Sequence, residues 1–134
     1  MLYALRQGMK AKELNDVLVY RKSVRAGEAV SAMLKRSAFC KDLEHRSQLS
    51  RSSSRVPAPI SEGYGQLTDR HVAVYLGRAR GSAFETRTHL LKSLNGQFIT
   101  ETEFFGLDSE YIVIGKMLTR WINYLQRCDW KRRG

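Results

Sequence analysis

The sequence predicts an all-α protein, an up-and-down four-helix bundle. Apolar residues recur at spacings of four and three along two long segments, which is the period of a buried helix face. The 134-residue chain contains two prolines, Pro57 and Pro59, and both stand near its centre. Four helical segments of comparable length with short connections are typical of such a bundle.

The first predicted helix runs roughly from residue 12 to residue 36 and is apolar on two sides. One side carries Val19, Ala26, Val30 and Met33, and the other carries Val17, Tyr20 and Val24. A helix that is apolar on two sides usually has neighbours on both, so we expect two packing partners for it.

The second predicted helix begins near Phe39 or Lys41 and is kinked or ended at Pro57/Pro59. Each proline removes an amide donor and clashes with the preceding turn. The serines of residues 50–55 resemble a short Arg-Ser tract. We interpret them as small residues that let a neighbouring helix approach, because six residues are too few for a disordered tail.

After the prolines, the sequence predicts a chain reversal. Gly63 and Gly65 can adopt positive φ there, and Thr68 or Asp69 can cap the next helix. The sequence "EGYG" lacks the Lys-Ser/Thr of a phosphate-binding loop, so we interpret the proline-glycine stretch as a structural joint.

The third and fourth predicted helices have the clearest apolar faces. The third is predicted to bury Val72, Leu76, Ala79, Ala83, Thr86, Leu90 and Leu94 and to end at Asn95-Gly96. The fourth, capped by Thr100 or Asp108, is predicted to bury Leu107, Tyr111, Ile114, Leu118, Trp121, Leu125 and Cys128. A second stripe on the third helix, consisting of Ala73, Gly77, Phe84 and Leu91, would be exposed in a lone bundle. Exposed apolar patches usually mark contacts, so this stripe predicts a homo-oligomer interface.

Length and composition indicate one domain, residues 1–134, with residues 1–10 and 130–134 as flexible ends. The chain has 23 Lys and Arg against 13 Asp and Glu, a net charge of +10, which suggests an anionic partner. Cys40 and Cys128 show no metal-ligand or disulfide spacing, so we expect a reduced, cytoplasmic protein. No apolar run is long enough to predict a membrane span.

The central stretch, residues 49–91, resembles the signature of the bacterial four-helix bundle proteins first known from intervening sequences of large-subunit ribosomal RNA genes. The matching residues are Arg51-Ser52, Val56-Pro57, Ile60, Glu62-Gly63-Tyr64-Gly65, Tyr75-Leu76, Ala79-Arg80-Gly81-Ser82 and Glu85. Weaker similarity covers residues 16–23 and 114–125. Pro59 stands where the family usually has Asn, so any capping role of that Asn is lost.

The resemblance implies a four-helix bundle, often a homo-pentamer, with no established enzymatic activity. Related proteins accompany the reverse transcriptases of diversity-generating retroelements and are thought to bind nucleic acid and that enzyme. Fold membership alone does not fix function.

The sequence offers little for catalysis or metal binding. His45, His71 and His89 have no partner at ligand spacing, so we expect no metal site, no cofactor and no enzymatic activity. For Glu62 and Glu85 we favour ion pairs with arginines such as Arg51 or Arg80 over catalysis. Tyr64 could stack a base, but we favour a tyrosine that anchors the turn.

The basic residues near the end of the chain predict a phosphate-binding surface. They are Lys116, Arg120, Arg127, Lys131, Arg132 and Arg133, and we interpret them as the longest cationic run uninterrupted by acids. A solvated basic face is the alternative. Two functional hypotheses follow: an oligomeric module that binds RNA or DNA, or an oligomeric protein adaptor, for example for a reverse transcriptase.

Overall fold

The computed structural model describes residue 14 and residues 17–133. Within them the α-helices are α1 (Leu18–Met33), α2 (Leu43–Ser54), α3 (Pro57–Tyr64), α4 (Asp69–Asn95) and α5 (Glu101–Arg133), and a 3-10 helix, Ser37–Lys41, joins α1 to α2. These residues contain no β-strand. The expected flexible segment 1–10 lies outside the described residues, whereas residues 130–133 continue α5 as helix.

The helices form a four-helix bundle, as predicted, in which α2 and α3 are the two halves of the second bundle helix. Helix α4 packs along α5 over the most extensive contact in the fold, and α1 packs on α5 as well. The bent pair α2–α3 closes the ring, because it packs on α4 and on α1. Each bundle helix thus lies beside its neighbours in the chain, which is the up-and-down arrangement.

The bend in the second bundle helix lies at Arg55 and Val56. Pro57 occupies the first turn of α3, where a helix needs no amide donor, so the ring costs no hydrogen bond. The Arg55 amide still donates to the Arg51 carbonyl at 3.1 Å, and the Val56 amide reaches the Ser53 carbonyl at 3.5 Å. The predicted kink is confirmed: the prolines redirect the helix without ending it.

The serines before the bend lie where helices approach closely. Ser52 and Ser53 are buried, and a Cβ added at Gly27 of α1 would lie 3.8 Å from the Ser53 carbonyl oxygen. The hydroxyls of Ser52 and Thr86 form a 3.1 Å hydrogen bond between α2 and α4. These contacts agree with the interpretation of the serines as small packing residues.

The expectation of positive φ at Gly63 and Gly65 is wrong. Gly65 has φ −83° and ψ −4°, and Gly63 lies within α3. Gly63 is required for space instead, since a Cβ there would lie 2.9 Å from the Tyr75 Cβ. Among the described residues other than glycine, only Gln97 takes a positive φ (62°), in the turn after α4.

The predicted core faces are buried almost throughout. Of the predicted positions on α4 and α5, the buried ones are Val72, Leu76, Ala79, Ala83, Thr86, Leu90, Tyr111, Ile114, Leu118, Trp121 and Leu125. The exceptions, Leu94, Leu107 and Cys128, lie near helix ends and are only half-buried, because neighbouring helices do not cover those turns fully.

His45 is a fully buried polar residue that the apolar patterns did not place in the core. Its Nε2 lies 2.7 Å from the Ser93 Oγ, which itself donates to the His89 carbonyl, so Nε2 carries the proton and donates. Its ring lies against Phe39 and Phe98, and Nδ1 has no partner among the described residues. Burial, and then the positive charge of Lys92, lower the pKa of His45 against the opposing effect of Asp42.

We predict that Gly63→Ala destabilises the protein by about 1–3 kcal/mol, since the new Cβ would lie only 2.9 Å from the Tyr75 Cβ and would push α3 from α4. Gly65→Ala is the matched control. A Cβ at Gly65 would lie 3.6 Å from the Glu62 carbonyl oxygen, an ordinary van der Waals distance, and the backbone suits alanine. Urea unfolding measures both variants, and equal midpoints would contradict the close approach at Gly63.

We predict that stability falls as pH drops below about 6.5, the ordinary pKa of histidine. The unfolded chain then binds a proton that the folded state resists, because protonated Nδ1 would be buried without an acceptor. His45→Gln should flatten the dependence of the melting temperature on pH between 5 and 7. His71→Gln, at an exposed position, should leave that dependence in place.

Candidate nucleic-acid interface

The outer face of α5 carries a stripe of exposed cations. Lys116, Arg120, Arg127 and Lys131 are separated by four, seven and four residues, so they fall on one side of the helix. All four are exposed, and among the described residues none has a carboxylate within ion-pair distance. We call these four residues the cationic stripe.

Interactions at the N-terminus of α5 fix the start of the helix that carries the stripe. The Thr100 Oγ1 accepts from the Glu103 amide at 3.2 Å, and the Glu103 carboxylate accepts from the Thr100 amide at 3.0 Å, which forms a capping box. Glu103 also pairs with Arg36, just beyond α1. The hydrogen bond from Arg36, followed by that from the Thr100 amide, lowers the pKa of Glu103 to about 2.

The interpretation of the C-terminal basic run as uninterrupted by acids is wrong for two of its residues. Arg132 pairs with Asp69, a carboxylate that is only 1% exposed at the start of α4. Arg133 pairs with Asp129 one turn earlier, with Nε and Oδ2 at 3.1 Å. A buried carboxylate is unfavourable without a cationic partner, so Arg132 stabilises the fold by neutralising Asp69. The stripe therefore comprises four cations instead of six.

Two aromatic residues on the same face were missed by the sequence analysis. Phe105 is 61% exposed and Trp130 is 72% exposed. On the helical wheel both lie at one edge of the cationic stripe, in directions close to that of Lys116, and Trp130 and Arg127 line one shallow depression. The signal was available, since plotting aromatic residues with the cations would have placed both on this side.

A pocket of about 320 Å³ lies between α4 and α5 beside the cationic stripe. We call it the seam pocket. Its lining is mostly apolar, and it is lined by Ala83, Phe84, Arg87, Tyr111, Ile112, Gly115, Lys116, Thr119 and Arg120. Arg87 is held at its edge by Asp108, with Nε and Oδ1 at 2.7 Å. A pocket of this size is at the lower end of the range for small-molecule sites.

Tyr111 lines this pocket, and its hydroxyl is buried. The residue is 1% exposed, and its hydroxyl has no hydrogen-bond partner among the described residues. Burial raises the pKa of Tyr111 well above its usual value, so the phenol stays neutral and keeps its proton for donation.

The predicted oligomer stripe lies on the surface of the single chain. Phe84 is 50% exposed and Leu91 is 47% exposed. Gly77 is exposed with open space around it, and Ala73 is half-buried. Phe84 lies at the seam pocket under the Arg80 guanidinium, 5.6 Å from the ring centroid. The structure thus brings one predicted oligomer residue together with Lys116 and Arg120, a juxtaposition that the sequence did not indicate.

Comparison with known protein families shows which family this chain belongs to. The family model described as 23S rRNA-intervening sequence protein matches residues 15–120. The chain belongs to this family. A solved structure with the same fold is a protein of unknown function from the S23 ribosomal protein family of Bacteroides thetaiotaomicron, at 20% identity and a TM-score of 0.71. The match covers 78% of this chain and 97% of that one. Among curated proteins no match was found.

The family-like motif divides into packing residues and surface residues. Gly63 is buried, while Pro57 and Tyr64 are half-buried, Tyr64 against the core, in agreement with an anchoring role. The exposed members are Arg51, Glu62, Gly65, Arg80, Gly81 and Glu85.

The expected pairing of Glu62 and Glu85 with Arg51 or Arg80 is not found. Glu85 lies 3.4 Å from the His89 Nε2, and Glu62 forms no ion pair with another described residue. Neighbouring side chains explain the difference for Arg80, because its guanidinium lies over Phe84 instead.

The described residues contain no cluster of His, Cys, Asp and Glu suited to a metal ion. No helix in the described part of the chain has the length and apolar character needed to cross a membrane. Cys40 is exposed and Cys128 is half-buried, both as thiols.

Proposed function

We propose that the protein is a non-enzymatic, homo-oligomeric helical bundle that binds RNA or DNA mainly through phosphates, on the outer face of α5. The cationic stripe carries this proposal. Its four cations extend over about 22 Å of helix, at a rise of 1.5 Å per residue, and a nucleic-acid strand offers several phosphates over that length.

Charge compensation distinguishes the cationic stripe from four other cations. Arg36, Arg87, Arg132 and Arg133 have carboxylate partners, which cancel much of their field. The stripe has no such partners among the described residues, so its charge remains available to an anionic ligand. The family name refers to a sequence within 23S rRNA. That association supports a nucleic-acid partner.

Self-association is part of the proposal. Phe84 and Leu91 are exposed on the outside of α4, and Gly77 offers room for a close approach by another helix. Exposed apolar groups of this kind are commonly covered by a partner. By the family resemblance, the assembly we propose is a pentamer.

An adaptor for another protein, such as a reverse transcriptase, is the second candidate. Two exposed aromatic residues favour it. Phe105 and Trp130 lie on the same face of α5 as the cationic stripe, and Trp and Arg are enriched at the centres of protein interfaces. An acidic partner surface would fit such a combination. The salt dependence of binding separates this candidate from the nucleic-acid proposal.

We predict that Arg120→Glu with Arg127→Glu weakens binding to single strands and duplexes by a similar factor. Two phosphate contacts are lost, so the slope of log K against log salt should flatten by about two. Fluorescence anisotropy at several salt concentrations measures both quantities. Arg78→Glu with Lys92→Glu, the same charge change on α4, should have the smaller effect. Full affinity in the α5 double variant with unchanged helicity would favour the adaptor.

We predict that Phe84→Glu dissociates the assembly, because burying a carboxylate between copies is costly. Leu91→Glu is the matched variant, since it lies two turns away in the same stripe and outside the seam pocket. Sedimentation should show both variants shifted toward the 15.4 kDa monomer. Sedimentation of the unmodified protein as a monomer at micromolar concentration would refute self-association.

A further inference from the structure

A polar groove of about 410 Å³ lies between the C-terminal end of α1 and helix α2, away from the cationic stripe. Three cations line it, and its lining includes no carboxylate. The cations are Lys35, just beyond α1, and Arg46 and Arg51 of α2. We call this depression the α1–α2 groove. Its volume falls within the range of small-molecule sites.

The three cations keep their charge available to a ligand. None of them has a carboxylate within ion-pair distance among the described residues, and Glu28 lines the adjoining depression instead. The Arg46 Nε donates to the Leu34 carbonyl at 3.0 Å, which orients the guanidinium and leaves both Nη groups to donate elsewhere. Cations that share a groove repel one another, so an anion between them would stabilise the arrangement.

Three serine hydroxyls add donors to the same groove. They belong to Ser31 of α1 and to Ser47 and Ser50 of α2, and none has a hydrogen-bond partner among the described residues. The serines that follow on α2 differ, because the hydroxyls of residues 52–54 donate to the carbonyls three residues before them. The groove hydroxyls are therefore free to donate to a ligand.

We propose that the α1–α2 groove binds a phosphate monoester, the group that a free nucleotide or the 5′ end of a nucleic-acid strand carries. A monoester has three terminal oxygens and close to two negative charges at pH 7, so it can accept from several donors at once. A phosphodiester within a strand has fewer terminal oxygens and less charge, which matches fewer of these groups. The site does not depend on phosphate binding by α5.

Helix geometry brings the donors of α2 to one side of that helix. Ser47 and Arg51 are four residues apart, as are Arg46 and Ser50, so the four side chains project toward the same groove. Each guanidinium can donate two parallel hydrogen bonds to phosphate oxygens. Lys35 adds a compact charge from the α1 side, and such an ammonium binds phosphate as a point charge.

Two leucines give the groove an apolar side for the organic part of the ester. Leu34 is buried and Leu43 is 65% exposed, and both line the groove. A sugar or base attached to the phosphate can lie against Leu43 and remove apolar surface from water. Inorganic phosphate lacks this contact, so we expect it to bind more weakly than the ester.

The contact between copies that we propose leaves the groove accessible. The oligomer stripe with Phe84 and Leu91 is on α4, and the seam pocket lies between α4 and α5. In the ring of bundle helices, α1 and α2 form the side opposite α4 and α5. Assembly through the α4 stripe therefore does not require the α1–α2 groove.

Isothermal titration calorimetry with three matched ligands measures the predicted preference. The ligands are a nucleoside 5′-monophosphate, the 3′,5′-cyclic monophosphate of the same nucleoside, and the nucleoside itself. They share a base and a sugar, and they carry a monoester, a diester and no phosphate. We expect the monoester to bind about tenfold more tightly than the diester, because its extra oxygen and charge add a charge-assisted hydrogen bond. The nucleoside should not bind measurably.

Arg51→Gln tests the assignment of the groove. It should lower affinity for the monophosphate about tenfold and reduce the preference over the cyclic diester. Arg55→Gln is the matched control, because Arg55 is also exposed, lies one turn later and does not line the groove. Ser47→Ala removes a hydroxyl without a change of charge and should lower the affinity about threefold. Circular dichroism should show unchanged helicity in all three variants.

Two labelled single-stranded 20-mers, one with a 5′-phosphate and one with a 5′-hydroxyl, identify the source of the monoester. Fluorescence anisotropy with the Arg120→Glu, Arg127→Glu variant compares them while the cationic stripe contributes little. Tighter binding of the 5′-phosphorylated strand assigns the groove to strand ends. Equal binding of the two strands, with binding of the free monophosphate, assigns it to a free nucleotide.

The outcomes separate this inference from the proposed function. Equal binding of the monophosphate and the cyclic diester, or binding of neither, overturns the inference, and so does an equal loss in Arg51→Gln and Arg55→Gln. Nucleic-acid binding by the cationic stripe is measured separately and is untouched by these results. A change in sedimentation of Arg51→Gln, with no binding of the monophosphate to the unmodified protein, identifies the groove as a contact between copies and also overturns the inference.

Discussion

The packing of α4 along α5 is the interaction on which the rest of the structure depends. Helix α4 buries the small residues Ala79 and Ala83, and Ala83 lines the seam pocket together with Tyr111 of α5. Ion pairs fix this contact toward both ends: Asp69 with Arg132, and Arg87 with Asp108. Because the helices are antiparallel and tied at these positions, neither can slide along the other. The register of α5 relative to α4 then determines which cations face outward and which surround the seam pocket.

The seam pocket follows from the same packing. Gly115 lacks the side chain that would fill the gap opposite Ala83, and Tyr111 is left with a buried hydroxyl that has no partner among the described residues. An alanine or leucine at position 115 would be better for helix stability, and a phenylalanine at position 111 would remove an unsatisfied group. Sequences usually resolve such local conflicts unless a functional site requires them. Both conflicts lie at one pocket, beside cations that have no carboxylate partner among the described residues.

Much of this fold could be predicted from the sequence, because helices are specified by local periodicity and by proline chemistry. The buried faces of α4 and α5 and the bend before Pro57 are examples. Tertiary contacts could be predicted less well from the sequence. Gly63 was expected to serve a turn, and only the position of Tyr75 shows that it serves close packing. The burial of His45 depends on Ser93, 48 residues away, so no local pattern indicates it. Likewise, the apolar stripe on α4 and the basic face of α5 were each predicted, but their meeting at Phe84 depends on helix register.

Charge compensation explains why a residue count cannot define the binding surface. The sequence shows a net charge of +10 and a basic end, and from these Arg132 and Arg133 look equivalent to Lys131. The fold makes them different, because the carboxylate of Asp69 is buried and would be strongly unfavourable without a cation beside it. Arg132 therefore stabilises the fold. The Asp69 carboxylate largely cancels its charge at any distance beyond the pair. Lys131 has no carboxylate partner among the described residues, so its charge remains available to an anionic ligand. The capacity to bind an anion thus belongs to the cations that the fold leaves uncompensated, and in α5 these form a single stripe next to the seam pocket.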